Sequence, residues 1–260
     1  MSEVHDQKIL SPFCVDIFDN YSENELDTFL SCPESVDRII EINKSLHRDF
    51  DFIELYEQPV EYVGMFQMNP DMVDGPPDKA INQQSIDKEG NPEWITPLKT
   101  IEMGESFCGE MEQCISEGRP FTSEDYLYTD GKVIPIIAGS DYSQYLRLGD
   151  RLTMFFIDDY FDFEVVGFFR NGQKMLYDDV EKNLDNYICV PFFDILTEKT
   201  SELSTHFINF YYLEKNSGYI GVDLKSQTEE ETALQIMRYS KRVGFPFCTG
   251  FIYQRHCLIG

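Results

Sequence analysis

Between residues 118 and 170 the chain reads GRPFTSEDYLYTDGKVIPIIAGSDYSQYLRLGDRLTMFFIDDYFDFEVVGFFR, three apolar blocks separated by short polar turns. VIPIIAG at 133–139 is too short for a core helix and too branched for a loop, so it predicts a strand. Ser140 or Asp141 is placed to cap the helical turn DYSQYL, and Gly149 supplies a tight turn after it. RLTMFFI and FDFEVVGFF then read as two strands joined by DDY, a hairpin-length connection, with Gly167 marking a bend or a close backbone approach. A chain carrying this unit must place strand, helical turn and hairpin at its centre, and its ends must cover that β unit.

The flanks have a different rhythm. ESVDRIIEINKSLHRD, after Pro33, puts Val36, Ile39, Ile40 and Leu46 on one face and charges opposite, predicting an amphipathic helix. DFIELYEQPVEYVGMFQM (51–68), broken by Pro59, reads as one or two strands with a bend. NPDMVDGPPDKAINQQSIDKEGNP (69–92) is rich in proline and glycine and reads as an exposed loop or junction. EWITPLKTIEM (93–103) predicts a strand, and GESFCGEMEQCISEG a short helix ending at Gly118. Further on, NGQKMLYDDVEKNLDN is polar and loop-like, YICVPFFDIL a strand entering a short helix, and HFINFYYLEK (206–215) another strand. TEEETALQIMRYSKRVG carries every helix signal: Thr228 as cap with Glu231 three residues on, Lys241 and Arg242 in the last turn, Gly244 as stop. PFCTGFIYQRHCLIG closes the chain as a strand.

These readings give an α+β fold in two lobes: a βαβ-type lobe from residues 1–70 plus 203–260, and an inserted, mainly β lobe at 71–202. No repeat of 20–50 residues is visible.

Composition limits the partners. The 47 acidic residues against 21 Lys and Arg leave a formal charge of −26, which repels nucleic-acid phosphates and anionic lipid head groups. No apolar run approaches the roughly 20 residues that a membrane-spanning helix requires, and MSEVHDQKIL lacks the pattern of a secretory signal. The seven cysteines contain no CxxC pair, arguing against a zinc ribbon or dithiol redox site. Their ordinary reading is buried or free thiols, although Cys108 and Cys114 are spaced so that an oxidising compartment could pair them.

Chemistry-bearing motifs are absent from the sequence. His5, His47, His206 and His256 stand in no zinc-binding spacing; His47 reads as a helix-end residue and His206 as a strand-start surface residue. GSD at 139–141 is no nucleophile elbow, since Tyr142 stands where glycine is needed. There is no glycine-rich phosphate loop. Acidic clusters at 158–162, 177–179 and 229–231 lack a calcium-loop pattern and read as solvated surface. No catalytic residue, cofactor site or metal site is assigned. Paired carboxylates of an acidic hydrolase remain an alternative class, as does a cytosolic adaptor protein.

The order EGRPFTSED, VIPIIAG with SDYSQYL, LRLGDRLTM, FEVVGFF and YICVPF resembles the extracytoplasmic domain of FtsX-like ABC transporter permeases, the MacB-like periplasmic core domain. The matching positions are Gly118, Arg119, Phe121, Asp125, Gly139, Gly149, Asp150, Val165, Val166, Gly167 and Pro191, over residues 118–193. The charge, the cysteines and the 69–92 segment lie outside that pattern. The resemblance implies a non-enzymatic domain on the extracytoplasmic face of the bacterial cell membrane, a soluble segment between two membrane helices. It also implies coupling to a cytoplasmic ATP-binding subunit, contact with a peptide, lipoprotein or partner protein, and a homodimeric permease.

Overall fold

The computed structural model describes residues 13–177, 180–196, 200, 202–222, 228–254 and 258–259. The chain starts with β1 (Phe13–Asp19), α1 (Glu23–Leu30), α2 (Ser35–Asp49) and the short β2 (Phe52–Ile53). It crosses to a second sheet through β3 (Leu55–Glu57), β4 (Val60–Val63), α3 (Pro77–Ala80), β5 (Gln83–Ile86), β6 (Pro92–Leu98) and β7 (Thr100–Met103). There follow α4 (Cys108–Cys114), β8 (Ile115–Gly118), β9 (Leu127–Tyr128), β10 (Ile134–Ala138), β11 (Arg151–Phe156) and β12 (Asp159–Phe169). Next come β13 (Lys174–Tyr177), β14 (Val180–Asn183), β15 (Ile188–Pro191) and β16 (Asp194–Ile195). The last elements are α5 (Thr205–Lys215), β17 (Gly218–Val222), α6 (Glu229–Val243), β18 (Phe247–Gln254) and β19 (Leu258–Ile259).

The fold is α+β with a strand-rich part, as the sequence patterning predicts. A four-stranded antiparallel sheet runs β18-β1-β17-β2, so its strands come from both ends of the chain. A ten-stranded sheet runs β3-β7-β15-β10-β12-β11-β4-β6-β5, with β8 added beside β12. It is mixed: β10 with β12 and β15 with β7 are parallel, and the other pairs are antiparallel. β13, β14 and β19 form a separate small sheet. β3 and β4, which precede residue 70, pair into the large sheet.

Local rules account for the amphipathic helices. α2 buries Ile39, Ile40, Ile42 and Leu46 in the core that also holds Val15, Ile17, Ile220 and Val222 of the four-stranded sheet. In α6 the Thr228 hydroxyl accepts from the Glu231 amide (3.2 Å) and the Glu231 carboxylate from the Thr228 amide (2.8 Å), while Gly244 ends the helix at φ 66°.

Several expectations are corrected. The predicted strand at 206–215 is the helix α5, started by Ser204, whose hydroxyl accepts from the Phe207 amide at 2.8 Å. It escapes pattern recognition because it is buried nearly all round. One face meets α2, where Asn209 donates to Ser35 (2.9 Å) and Asn216 to the Ile39 carbonyl (3.1 Å). The other carries Phe207 and Tyr211 onto Phe156, Phe161 and Phe193 of the large-sheet side. A helix sandwiched in this way shows no apolar stripe, and its continuous aromatic run imitates a strand.

The polar stretch 171–186 forms the hairpin β13–β14. YICVPFFDIL enters a second short strand, β16, not a helix. The predicted helix before Gly118 stops at Cys114, and Ile115–Gly118 pairs with β12 instead. The 69–92 segment holds a 3-10 turn, α3 and β5, and buries Met72 and Val73.

Candidate functional site

Of the residues that carry the family resemblance, Gly118, Arg119, Val166 and Gly167 meet at one backbone crossing, with Gly149, Asp150 and Val165 beside it. β12 lies so close to the turn after β8 that the Arg119 amide donates to the Val166 carbonyl at 3.0 Å. A side chain on Gly118, which has φ +83°, would meet that carbonyl at 2.2 Å, and one on Gly167 would meet the Arg119 carbonyl at 2.6 Å. Both glycines are therefore demanded by space. Gly149 donates to Val165 (2.8 Å) and Val165 to Asp150 (3.0 Å), closing the turn on the same strand. Gly139 presses against the carbonyls of Leu184 and Asp185, each 2.2 Å from where its Cβ would sit.

Arg119 and Asp125 lock the crossing from outside, with Nη1–Oδ2 at 2.5 Å and Nη2–Oδ1 at 3.2 Å. Burial opposes ionisation of Asp125, but Arg119 and the amide and hydroxyl of Thr122 outweigh it and hold the carboxyl below its usual range. Phe121 is buried against Tyr126, and Pro191 ends β15. Ser140 does not cap the following turn: Gly139 occupies the cap position, and the Ser140 hydroxyl donates to Asp185 (2.9 Å). The resemblance residues build shape, and none of them lines the cleft of Lys215 and Glu54.

That cleft lies between the two sheets. It encloses about 510 Å³ and is lined by Asn43, Lys44 and His47 from α2, Glu54, Tyr126 and Lys215, among others. Its floor is a buried charge pair. The Lys215 ammonium, 2% exposed, stands 3.0 Å from Glu54 and 3.6 Å from Asp194, donates to the Phe192 carbonyl at 2.5 Å, and sits 4.9 Å above the Phe192 ring. Glu54 also takes Asn43 Nδ2 (3.1 Å) and His47 Nε2 (2.9 Å). Burial raises its pKa, yet Lys215, His47 and Asn43 together bring it down to about 2. Glu54 stands in the single residue between β2 and β3, where the chain passes from one sheet to the other, and Gly104 is packed so tightly on it that a Cβ would fall 2.8 Å from that of Glu54.

Beside this pair, Gln58 donates to Glu102 of β7 at 2.7 Å, and Glu214 of α5 acts on the same acid. Glu102 is fully buried, and one oxygen of each carboxyl, Glu102 Oε1 and Glu214 Oε2, is buried with no hydrogen-bond partner. Burial, reinforced by Glu214, holds Glu102 well above the usual carboxylate range. Burial pushes Glu214 to about 7, with Gln58 pulling the other way.

This arrangement joins layers. Glu54 stays ionised at neutral pH and is satisfied, so it is neither general acid nor free base. The thiols of Cys108, Cys114, Cys189 and Cys248 are all raised by burial, the reverse of a nucleophile's environment. Cys108 and Cys114 are unbridged. Among the described residues no three metal-ligating side chains converge. The 158–162 acids hold internal partners: Asp158 takes Ser204 and His206, Asp159 takes Lys88, and Asp162 takes Thr153. His206 opens α5, not a strand, and His47 ends α2 as expected but is recruited to Glu54. Asp178, Asp179, Cys257, His5 and His256 lie outside the described residues. Of the joint's members the sequence pointed only to His47. A lysine closing the aromatic run of FINFYYLEK was the one available signal, because a charge there must be buried or break the packing.

No protein-family model matches the chain, and no curated protein matches its sequence. Among solved structures it is similar to the extracellular domain of the noncanonic ABC-type transporter YknZ from Gram-positive bacteria, at 12% identity and a TM-score of 0.42, covering 95% of this chain and 100% of that one.

Proposed function

We propose that the chain is a non-catalytic extracytoplasmic domain of an ABC transporter permease of the FtsX-like, MacB-like type, transmitting ATP-driven motion and engaging a peptide, lipoprotein or partner protein outside the membrane. The observation that carries this reading is the pairing of β1 with β18, which sets Phe13 opposite Gln254. The strand that enters the domain and a strand near its end are neighbours, as a segment inserted between two membrane helices requires. The meeting of Gly118, Arg119, Val166 and Gly167 at one crossing supports the same reading. In this scheme the four-stranded sheet and its helices form the lobe nearest the membrane helices, the ten-stranded sheet, which takes β3 and β4 from before residue 70, forms the outer lobe, and the buried Lys215–Glu54 pair stiffens the passage between them. Its partners are the protein's own membrane helices, a cytoplasmic ATP-binding subunit, and a second permease copy.

The test uses the full-length gene product. Expected are recovery in the membrane fraction, digestion of this segment by protease added outside intact spheroplasts, and co-purification of an ATP-binding subunit. Recovery in the cytosol, or protection from external protease, would overturn the reading. With a charge of −26, the domain should also bind a lysine-rich peptide in low salt, and the binding should fade as ionic strength rises. Binding that is absent, or indifferent to salt, removes cationic peptides from the candidate ligands.

A further inference from the structure

Glu102 and Glu214 present a chemical problem that the Lys215–Glu54 pair does not. An ionised carboxylate only accepts hydrogen bonds. Here two carboxyls, from β7 and the end of α5, share one neighbourhood whose amide donor, Gln58, is bonded to Glu102 and also acts on Glu214. The nearby cation is engaged elsewhere: Lys215 binds Glu54 and the Phe192 carbonyl and faces Asp194. From α2, His47 and Asn43 turn to Glu54. From β3, Tyr56 is itself raised to about 12 by burial and then by Glu214 and Glu102, with Asp19 of β1 adding to them. Apart from Lys215, whose charge still reaches Glu102 and favours its ionisation, the groups named near the two acids are negative or neutral. Only a proton gives one carboxyl an O–H to donate and relieves the like-charge contact.

The geometry points to a proton-operated joint: Glu102, Gln58 and Glu214 hold the end of α5 against β3 and β7 while Glu214 keeps its proton, and opening this contact releases that proton. The consequence is a junction between α5 and the large sheet that is tighter in mildly acidic surroundings than in alkaline ones. Burial places the transition of Glu214 at about 7 in the closed state, against about 4.3 for a solvated glutamate. The closed state, which binds the extra proton, is favoured below the solvated value and loses that advantage as pH rises towards 7. This inference does not rest on the transporter reading, because it concerns only the isolated domain.

The experiment is amide hydrogen exchange of the folded domain from pH 5 to pH 8, corrected for the intrinsic chemical rate, read at 212–216 and at β7. Each proton released per opening event lowers protection about tenfold per pH unit; Glu214 supplies one up to near pH 7, on top of that from Glu102, which is also held above its usual range. In Glu214→Gln the fall between pH 5 and pH 7 should be shallower by one proton, about tenfold per pH unit, while Asp162→Asn, which alters an exposed acid of β12, should keep the parent slope. Carbon NMR of labelled glutamate should show one carboxyl titrating near pH 7 in the parent and none in Glu214→Gln. A flat profile in the parent, or an unchanged slope in Glu214→Gln, overturns the proposal.

Discussion

The crossing at Gly118–Arg119 and the joint at Glu54–Lys215 both fix one part of the chain against another, by opposite means. The crossing excludes side chains: two backbones meet where a single Cβ would collide. The joint encloses them: a lysine and a glutamate are taken out of water and made to satisfy each other. Close backbone contact is set by what one residue lacks, whereas a buried ion pair is set by what two distant residues supply. The first tolerates no added volume, and the second tolerates no missing partner.

Removing a partner should therefore have the larger effect. Lys215→Met leaves Glu54 buried without its main counter-charge, so a loss of about 3–5 kcal/mol is expected in urea unfolding. A loss below about 1 kcal/mol would show that the pair is dispensable. Gly118→Ala adds one methyl group at positive φ against the Val166 carbonyl and should cost about 2–3 kcal/mol; near-neutrality would mean that β8 can shift and that the crossing is not rigid. Global stability should then report the acid pair. The Glu214 pKa is raised in the folded state, so its contribution is complete below about pH 4 and is lost by about pH 7. The parent should thus lose about 3 kcal/mol more than Glu214→Gln between pH 4.5 and pH 7.5. Equal pH profiles for the two proteins would place Glu214 in ordinary solvent. Smallest is the cap of α6, where Thr228→Ala should cost about 1 kcal/mol, measured by thermal unfolding.

What the sequence disclosed follows the same division. The hairpin β11–β12, the strand at 134–138, the glycines of the crossing and both ends of α6 are dictated by residues within a few positions of one another, so their rules operate on a linear text. α5 was misread because its burial on two sides erased the periodicity that distinguishes helix from strand. The joint was invisible for a related reason: Asn43, Glu54, Glu102 and Lys215 belong to four different segments, and none is unusual until the fold brings them together. Ser140 shows the same limit on a small scale. A sound local cap was available, and the tertiary partner Asp185 took the hydroxyl.

The place of β1 in the small sheet also bears on how the molecule is made. β1 is flanked by β17 and β18, so a strand at residues 13–19 finds its neighbours only at 218–222 and 247–254. On a ribosome, the large sheet can close while that early strand still waits for its mates, which makes the amino-terminal segment the last to settle and the one most in need of shielding during synthesis.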